Sequence, residues 1–290
     1  MSEHVFRAVD ETLRRGESAA LVTIIRTEGS TPQRVGAKML VFADGRTVGT
    51  IGGGCYENDA FWKARKSLET HKPLVARYEL SDDIAEESGL ICGGQMDVYI
   101  EPLEGAPHLY LVGAGHVAYY LAKAAAPVGF KIHVLDDREK FSNAERFPEA
   151  DEVLVESIPT WLTEATFPAN SYVVILTRGH THDLDALRAL APRELRYLGL
   201  IGSRAKVARL YEALQEEDAS LPVESLRNVH APVGLDIGAV SPQEIAVSIL
   251  AELIAVKYGK IVDTAQTENQ SVAPLRWSPR ELSRAVVNPS

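Results

Sequence analysis

Two cysteines, each beside a cluster of glycines, are the residues of this sequence best suited to do chemistry. Cys55 follows Gly52, Gly53 and Gly54 at the predicted start of a helix, and Cys92 precedes two further glycines. The positive end of a helix favours the thiolate form of a cysteine. Such a thiolate could serve as a nucleophile, a sulfur carrier or a ligand for a soft metal. We predict Cys55 and Cys92 as the reactive residues; the alternative for Cys92 is an inert thiol at the start of a strand.

Groups that bind anions are predicted around Cys55. The turn at Gly52–Gly54 can expose several backbone N–H groups, and Glu57 in the first helical turn suits the helix dipole. A separate loop, residues 29–38, offers backbone N–H groups, two hydroxyls, Arg34 and Lys38. These residues predict a cradle for a phosphate or another anion. The alternative for the loop is an ordinary solvated turn.

A third glycine cluster has the pattern of a nucleotide-binding turn. Gly113 allows a tight turn after the apolar strand at 109–112, Gly115 lets the backbone approach a phosphate, and Ala118 lets helix pack on strand. Asp136 ends the next predicted strand, about twenty residues on, where an acid would hydrogen-bond a ribose hydroxyl. The pattern predicts a Rossmann-type domain and leaves the choice between NAD and NADP open. The alternative is a Rossmann scaffold whose ligand is not a redox dinucleotide.

Further polar residues follow later strands of the same predicted sheet. Arg178 and Arg204 could clamp a phosphate or a carboxylate through two hydrogen bonds. His180 or His182, with Asp183, could transfer a proton or bind a metal. The alternative is local: Ser203 caps the next helix, and Asp183 sits in the first turn of its own helix. For metal binding we favour the local alternative.

The elements that must position these residues follow from the hydrophobic pattern. In the first part of the chain, helices are expected near Val5–Leu13 and at Cys55–Leu68, with strands at Ala19–Ile25, Lys38–Phe42, Thr47–Ile51, Leu74–Leu80 and Met96–Pro102. Further on, strands are expected at Leu109–Val112, Lys131–Leu135, Glu152–Val155, Tyr172–Leu176 and Tyr197–Ile201, with helices at His116–Ala126, Asp183–Leu190, Arg204–Glu216 and Pro242–Tyr258. We therefore predict an α/β protein: an N-terminal mixed α+β domain at 1–103, a Rossmann-type parallel-sheet domain at 108–262 and a polar tail at 263–290.

Composition narrows the class of protein. The 290 residues are 46% apolar and 24% charged, with a formal net charge of −10. This acidity argues against nucleic-acid binding and against an anionic membrane surface. No apolar run approaches the roughly 20 residues that span a bilayer, and the N-terminus has no signal-peptide pattern, so we expect a cytoplasmic protein. Two cysteines are too few for a disulfide scaffold.

Several motifs, in order along the chain, resemble those of one known family. Three N-terminal segments look like the first domain of the XdhC/CoxI family: GSTPQ at 29–33 with GAKM at 36–39, GTIGGGCYE at 49–57 and CGG at 92–94. Later segments look like its Rossmann domain: GAGHV at 113–117, DDR at 136–138, RGH at 178–180 with Asp183, GLIGSR at 199–204, PVGLDIG at 232–238 and EIAVSILAE at 244–252. The resemblance covers nearly the whole chain apart from the tail.

This resemblance implies a molybdenum-cofactor chaperone, an accessory protein rather than an enzyme. Such a protein assists sulfuration of the cofactor and its insertion into xanthine dehydrogenase or a related molybdenum hydroxylase. It implies that Cys55 contacts the molybdenum of the bound cofactor, that His116 belongs to the binding turn, and that a cysteine desulfurase is a partner. A homodimer is expected by analogy with other Rossmann proteins. The alternative function is an NAD(P)-dependent oxidoreductase that uses the Rossmann domain.

Overall fold

The computed structural model describes residues 3–79, 94–217 and 223–260. The chain divides into two compact units. Along the sequence, the boundary between them lies between Ala106 and Pro107. Cys92 and the predicted tail at 263–290 lie outside the described residues. Within the described ranges, no helix is both long enough and apolar enough to cross a membrane.

Unit 1 contains a five-stranded antiparallel sheet in the order β3-β2-β1-β5-β4. A hairpin turn at 43–46 joins β2 to β3, as the sequence predicts. The described elements are α1 (Glu3–Arg14), β1 (Ser18–Glu28), β2 (Lys38–Phe42), β3 (Thr47–Gly49), α2 (Gly54–Thr70), β4 (Leu74–Glu79) and β5 (Gln95–Glu104).

Helices cover both faces of this sheet. Alternate residues of a strand point to opposite faces, so β1 contributes Ala20 and Val22 to one core and Ala19 and Leu21 to another. The first core contains Ala60 and Ala64 of α2, and the second contains Val5 of α1. Burial on both sides explains why β1 is a nearly continuous apolar run. The start of α2, which carries Cys55, is therefore fixed by packing along the rest of that helix.

Unit 2 contains a six-stranded, fully parallel sheet in the order β11-β10-β9-β6-β7-β8. Its strands are β6 (His108–Val112), β7 (Lys131–Asp136), β8 (Glu152–Val155), β9 (Ser171–Ile175), β10 (Tyr197–Leu200) and β11 (Val229–His230). Its helices are α3 (His116–Ala125), α4 (Ile158–Glu164), α5 (His180–Leu190), α6 (Arg204–Glu217), α7 (Val223–Arg227) and α8 (Pro242–Lys257).

This strand order is that of the Rossmann fold, which confirms the predicted fold class. Counted from β6, the order across the sheet is 3-2-1-4-5-6, and the direction of winding reverses between β6 and β9. Helices α3 and α8 pack on one face of the sheet, and α4, α5 and α6 pack on the other. Ligands of such sheets bind at the carboxyl ends of the strands beside the reversal. The loops at 113–115 and 176–179 occupy that position.

The structure departs from the predicted elements mainly where they are short. Helix α4 and strand β11 were not predicted, since seven and two residues are too few to show a period. Helix α5 begins at His180, three residues before the predicted start, because the extended Gly179 is its N-cap. Strand β1 continues to Glu28 because it pairs with β5 through its polar end.

Candidate functional site

The glycine turn in front of Cys55 is closed by the carboxylate of Glu57. One oxygen of that carboxylate, Oε2, accepts hydrogen bonds from the Thr50 hydroxyl at 2.5 Å and from the N–H groups of Ile51, Gly52 and Gly53 at 2.8, 3.1 and 3.0 Å. Burial alone would raise the pKa of Glu57, but these four donors hold it below its ordinary value. The predicted anion cradle is thus partly filled by an anion of the chain itself. The N–H groups of Gly52 and Gly53 serve the loop's own structure.

Cys55 lies in the first turn of α2, immediately after this closed loop. Helix α2 begins at Gly54, and its N-cap residue Gly53 supplies no capping side chain. The Cys55 side chain is exposed and forms no disulfide with a described residue. Helix N-termini carry partial positive charge and N–H groups without intrahelical acceptors. An anionic or sulfur-containing ligand can therefore reach both the thiol and the start of the helix.

Close contacts at two glycines bring the three glycine-containing motifs of unit 1 together. A β-carbon on Gly52 would lie 2.8 Å from Cγ of Pro32, so the loop at 29–36 packs directly against the turn before Cys55. A β-carbon on Gly94 would lie 2.4 Å from the carbonyl oxygen of Ser30 in the same loop. Gly94 closes the CGG motif, whose Cys92 lies outside the described residues. Whether Cys55 and Cys92 share one site therefore stays a prediction.

The two predicted cations of this region have different positions. Arg34 is exposed in the loop at 29–36, two residues after Pro32. Lys38 starts β2 on the face of the sheet that α1 covers, where its ammonium contacts the Thr23 hydroxyl at 2.9 Å and lies over the ring of Phe6. That face is opposite to α2. Because side chains alternate along β2, Lys38 and the helix α2 that carries Cys55 lie on opposite faces of the sheet.

In unit 2, Gly113 is required by close contact between two backbones. Its φ is +110°, and a β-carbon there would lie 2.5 Å from the carbonyl oxygen of Leu176. The turn is thus pressed against the end of β9 at the reversal point of the sheet. Gly115, the N-cap of α3, has no atom near the position of a β-carbon, and it is followed by the exposed His116. Space for a ligand therefore lies beside Gly115 rather than beside Gly113.

Asp136 has a different role from the predicted one. Its Oδ1 accepts from the N–H and Nε of Arg138 at 3.1 and 2.7 Å, and its Oδ2 accepts from the Ala114 N–H at 2.8 Å and from Arg138 Nη2 at 2.9 Å. Burial opposes ionisation, but the Arg138 guanidinium and the two N–H groups hold the pKa of Asp136 below its ordinary value. A carboxylate has about four lone-pair positions, and Asp136 accepts from four donors of the chain. A ribose hydroxyl would compete with these donors.

Arg178 and His180 lie at the carboxyl end of β9, as predicted. Arg178 is exposed, with Nη2 at 3.3 Å from Oδ2 of Asp137. His180 is exposed as the first residue of α5. No group of three His, Cys, Asp or Glu side chains within the described ranges is arranged to hold a metal ion.

After β10, Ser203 has the local role that its alternative predicts. The Ser203 hydroxyl accepts from the N–H of Lys206 at 3.2 Å and so caps α6, in which Arg204 is the first residue. The missed residue is Lys206, whose ammonium lies 2.6 Å from Oδ2 of the fully buried Asp183. Oδ1 of Asp183 accepts from the Thr177 hydroxyl at 2.6 Å. A lysine in the first turn of a helix is unfavourable for the helix dipole. This position is the sequence signal that could have indicated a nearby acidic partner for Lys206.

A second missed network lies at the end of the Rossmann sheet. The buried carboxylate of Glu252 accepts from Tyr197 and from the N–H of Gly234, and it contacts Nδ1 of His230, each at 2.7 Å. Burial would raise the pKa of Glu252, but His230 and the other donors hold it low. These bonds tie α8 to the loop after β11. Hydrogen bonds thus join the PVGLDIG segment at 232–238 to the EIAVSILAE segment at 244–252, and they account for both motifs by their structural role.

The fold and site define a two-unit protein in which an exposed thiol follows a glycine turn and a Rossmann unit follows on the chain. Family models agree with this division: residues 12–79 match that of the XdhC and CoxI family, and residues 109–253 match that of the XdhC Rossmann domain. The second match alone covers half of the chain. The chain belongs to the XdhC and CoxI family, as the motifs predict.

Relatives of known name cover most of the chain. An uncharacterized protein of Escherichia coli, YqeB, is 38% identical over 82% of the chain, and the chain spans only 43% of that protein's length. A protein of Bacillus subtilis named as a probable subunit of xanthine dehydrogenase is 26% identical over 86% of the chain and 96% of its own length. The molybdenum cofactor insertion chaperone PaoD of E. coli is 23% identical over 87% of the chain and 88% of its own length. A crystal structure described as a xanthine dehydrogenase from Bacillus halodurans matches with a TM-score of 0.49 at 25% identity, over 91% of the chain and 97% of its own.

Proposed function

We propose that this protein binds the molybdenum cofactor, assists its sulfuration, and inserts it into xanthine dehydrogenase or a related molybdenum hydroxylase. The observation that carries the proposal is the exposed thiol of Cys55 in the first turn of α2, beside a turn held closed by Glu57. Family membership and the printed names of two relatives support the same assignment. The fact that one relative carries the name of a xanthine dehydrogenase component supports a client of that class.

The donor groups of unit 1 fit such a cargo. Molybdenum cofactor is a pterin that carries a phosphate and a metal held by two sulfurs. Thiolate sulfur suits a soft metal centre and can also carry a transferable sulfur atom, whereas the N-terminus of α2 and the exposed Arg34 suit the phosphate. In this proposal Cys55 contacts the metal end of the cargo, and Glu57 keeps the preceding turn in the shape that presents the thiol.

Pterin analysis of the purified protein tests this proposal. The protein is produced in one strain that makes the cofactor and in a matched strain blocked in its synthesis, and each sample is oxidised and assayed for a fluorescent pterin. We expect pterin in the first sample alone, with its identity set by mass spectrometry. Protein without pterin, from cells in which a molybdenum enzyme is active, would overturn the proposal.

Two partners belong to the same proposal. A cysteine desulfurase would supply the sulfur, and transfer of radiolabelled sulfur from that enzyme to Cys55 tests this step. A second copy of the chain would complete a homodimer, which sedimentation equilibrium measures directly. If a labelled desulfurase leaves Cys55 unlabelled, the desulfurase is not a partner at this residue. If the chain is strictly monomeric, the proposed homodimer is wrong.

An NAD(P)-dependent oxidoreductase is the rival function, and one observation favours it: the Rossmann strand order with a glycine turn at the reversal point. Against it, four donors of the chain already hydrogen-bond to Asp136, so a ribose hydroxyl would compete with them. Titration with NADH and NADPH separates the two functions. Saturable binding accompanied by turnover that does not depend on Cys55 would favour the rival.

A further inference from the structure

A pocket of about 480 Å³ lies in unit 2, beside helix α3. Cys55 belongs to unit 1 and does not line it. Such a volume falls within the range of roughly 300–1,000 Å³ typical of small-molecule sites. One wall is helical and the other is the connection between β7 and β8. Residues that line it include His116, Tyr119, Tyr120, Lys140, Glu145 and Arg146.

The connection that forms the second wall is held in one shape by its own hydrogen bonds. Asn143 donates from Nδ2 to the carbonyl oxygen of Glu139 at 3.0 Å and accepts at Oδ1 from the N–H of Arg146 at 2.9 Å. The buried hydroxyl of Ser142 donates to the carbonyl oxygen of Leu154 in β8 at 2.8 Å. A pre-formed wall lowers the entropic cost of binding a ligand.

Arg146 brings an incompletely satisfied cation to this pocket. Its guanidinium lies 5.4, 5.2 and 5.8 Å from the ring centroids of Tyr119, Phe141 and Phe147, and Nη2 lies 3.5 Å from the carbonyl oxygen of Gly115. A guanidinium has five N–H donors, and the buried Nε finds no acceptor among the described residues. Because Nε is buried, a ligand in the pocket would meet the terminal Nη1 and Nη2 groups of Arg146.

Charge and aromatic surface together indicate the ligand class. Lys140 is exposed and forms no ion pair with a described residue, so the lining has two cations against the single carboxylate of Glu145 in a chain of net charge −10. Tyr119 and Tyr120 stand edge to face, with centroids 5.1 Å apart. The Lys123 ammonium and the Arg146 guanidinium lie 4.5 and 5.4 Å from the centroid of the Tyr119 ring, so Tyr120 is the ring that can stack on a ligand beside these cations. Aromatic side chains bind heterocyclic bases by stacking, and cations bind phosphates.

We propose that this pocket binds a nucleoside monophosphate, in which ribose joins an aromatic base to one phosphate. Lys140 and Arg146 contact the phosphate, and Tyr120 contacts the ring. The site uses neither Cys55 nor Asp136, so it goes beyond the proposed chaperone function and stands or falls separately from it.

Calorimetric titration of the full chain with AMP, adenosine and inorganic phosphate tests the proposal. We expect saturable binding of AMP, at least tenfold weaker binding of adenosine and of phosphate, and roughly fivefold weaker AMP binding in Lys140→Ala, typical of one exposed charge contact. Tyr120→Leu should weaken AMP binding roughly fivefold or more through lost stacking. Lys260→Ala, which removes an exposed lysine outside the pocket, is the matched control and should leave the affinity unchanged.

Three results would overturn the proposal. The first is a wild-type chain that does not bind AMP. The second is equal affinity for AMP and phosphate, which would mean an unspecific anion site. The third is AMP binding that is unchanged in both Lys140→Ala and Tyr120→Leu, which would place the nucleotide elsewhere. Circular dichroism of each variant verifies the fold, and Lys140→Ala removes no side-chain hydrogen bond or ion pair with a described residue.

Discussion

Replacing Glu57 by alanine should loosen the turn in front of Cys55 without unfolding α2. The carboxylate Oε2 gathers four donors, three of which are backbone N–H groups of Ile51, Gly52 and Gly53. A net contribution of about 1 kcal/mol for each hydrogen bond gives an upper value near 4 kcal/mol. The turn is only half-buried, so water can replace part of this loss. We expect a local cost of about 2 kcal/mol, a value reduced for that hydration.

Hydrogen exchange measured by mass spectrometry gives this cost at the turn itself. An opening free energy lower by about 2 kcal/mol corresponds to roughly thirtyfold faster exchange in peptides that cover 50–57. Glu69→Ala is the matched control, because Glu69 is an exposed glutamate near the end of the same helix. Exchange in Glu57→Ala that equals that of the control would refute the role of Glu57 as the group that closes the turn.

The same bonds give this turn a defined pH dependence. Because the pKa of Glu57 is lower in the folded chain, ionised Glu57 stabilises the fold above its unfolded pKa, which is about 4.3. That stabilisation is lost as the pH falls through the lower folded value. The difference in exchange between wild type and Glu57→Gln should therefore be full at neutral pH and shrink below about pH 4.

Two further substitutions test unit 2. Gly113→Ala should lower the free energy of unfolding in urea by about 2–4 kcal/mol, because its β-carbon would lie 2.5 Å from the carbonyl oxygen of Leu176 at a φ of +110°. Gly115→Ala is the control: its β-carbon would lie in open space, so it should lower that free energy by less than about 1 kcal/mol. Equal losses in the two variants would refute the close contact at Gly113. Glu252→Leu should lower stability by about 3 kcal/mol, since the buried partners Tyr197 and His230 lose their acceptor; an unchanged unfolding midpoint would refute that network.

Local patterns were sufficient to predict the framework of both units. The Rossmann unit follows from an apolar strand, the turn at Gly113–Gly115 and a helix that starts at His116, all within a few residues of one another. The start of α2 follows likewise from Gly52–Gly54. In each case the backbone preference of glycine and the period of the apolar residues act over one or two turns of chain.

Side-chain partners could not be predicted in the same way, because they depend on packing between distant elements. Asp136 has the expected position, but its Ala114 donor comes from 22 positions earlier. The ion pair of Lys206 with Asp183 and the contacts of Glu252 likewise join different helices and strands. Lys38 illustrates the same limit: a shift of one residue along β2 would have placed it on the face of α2.

The measurement that tests the central claim most directly is the pterin content of Cys55→Ala. The variant, wild type and Asn58→Ala are purified in parallel from a host whose cofactor synthesis is verified; Asn58 is an exposed residue near Cys55 in α2 and serves as the control. We predict pterin in wild type and in Asn58→Ala, and at least a tenfold lower pterin-to-protein ratio in Cys55→Ala, with the fold of each verified by circular dichroism. Full pterin content in folded Cys55→Ala would contradict the role of this thiol in holding the cofactor.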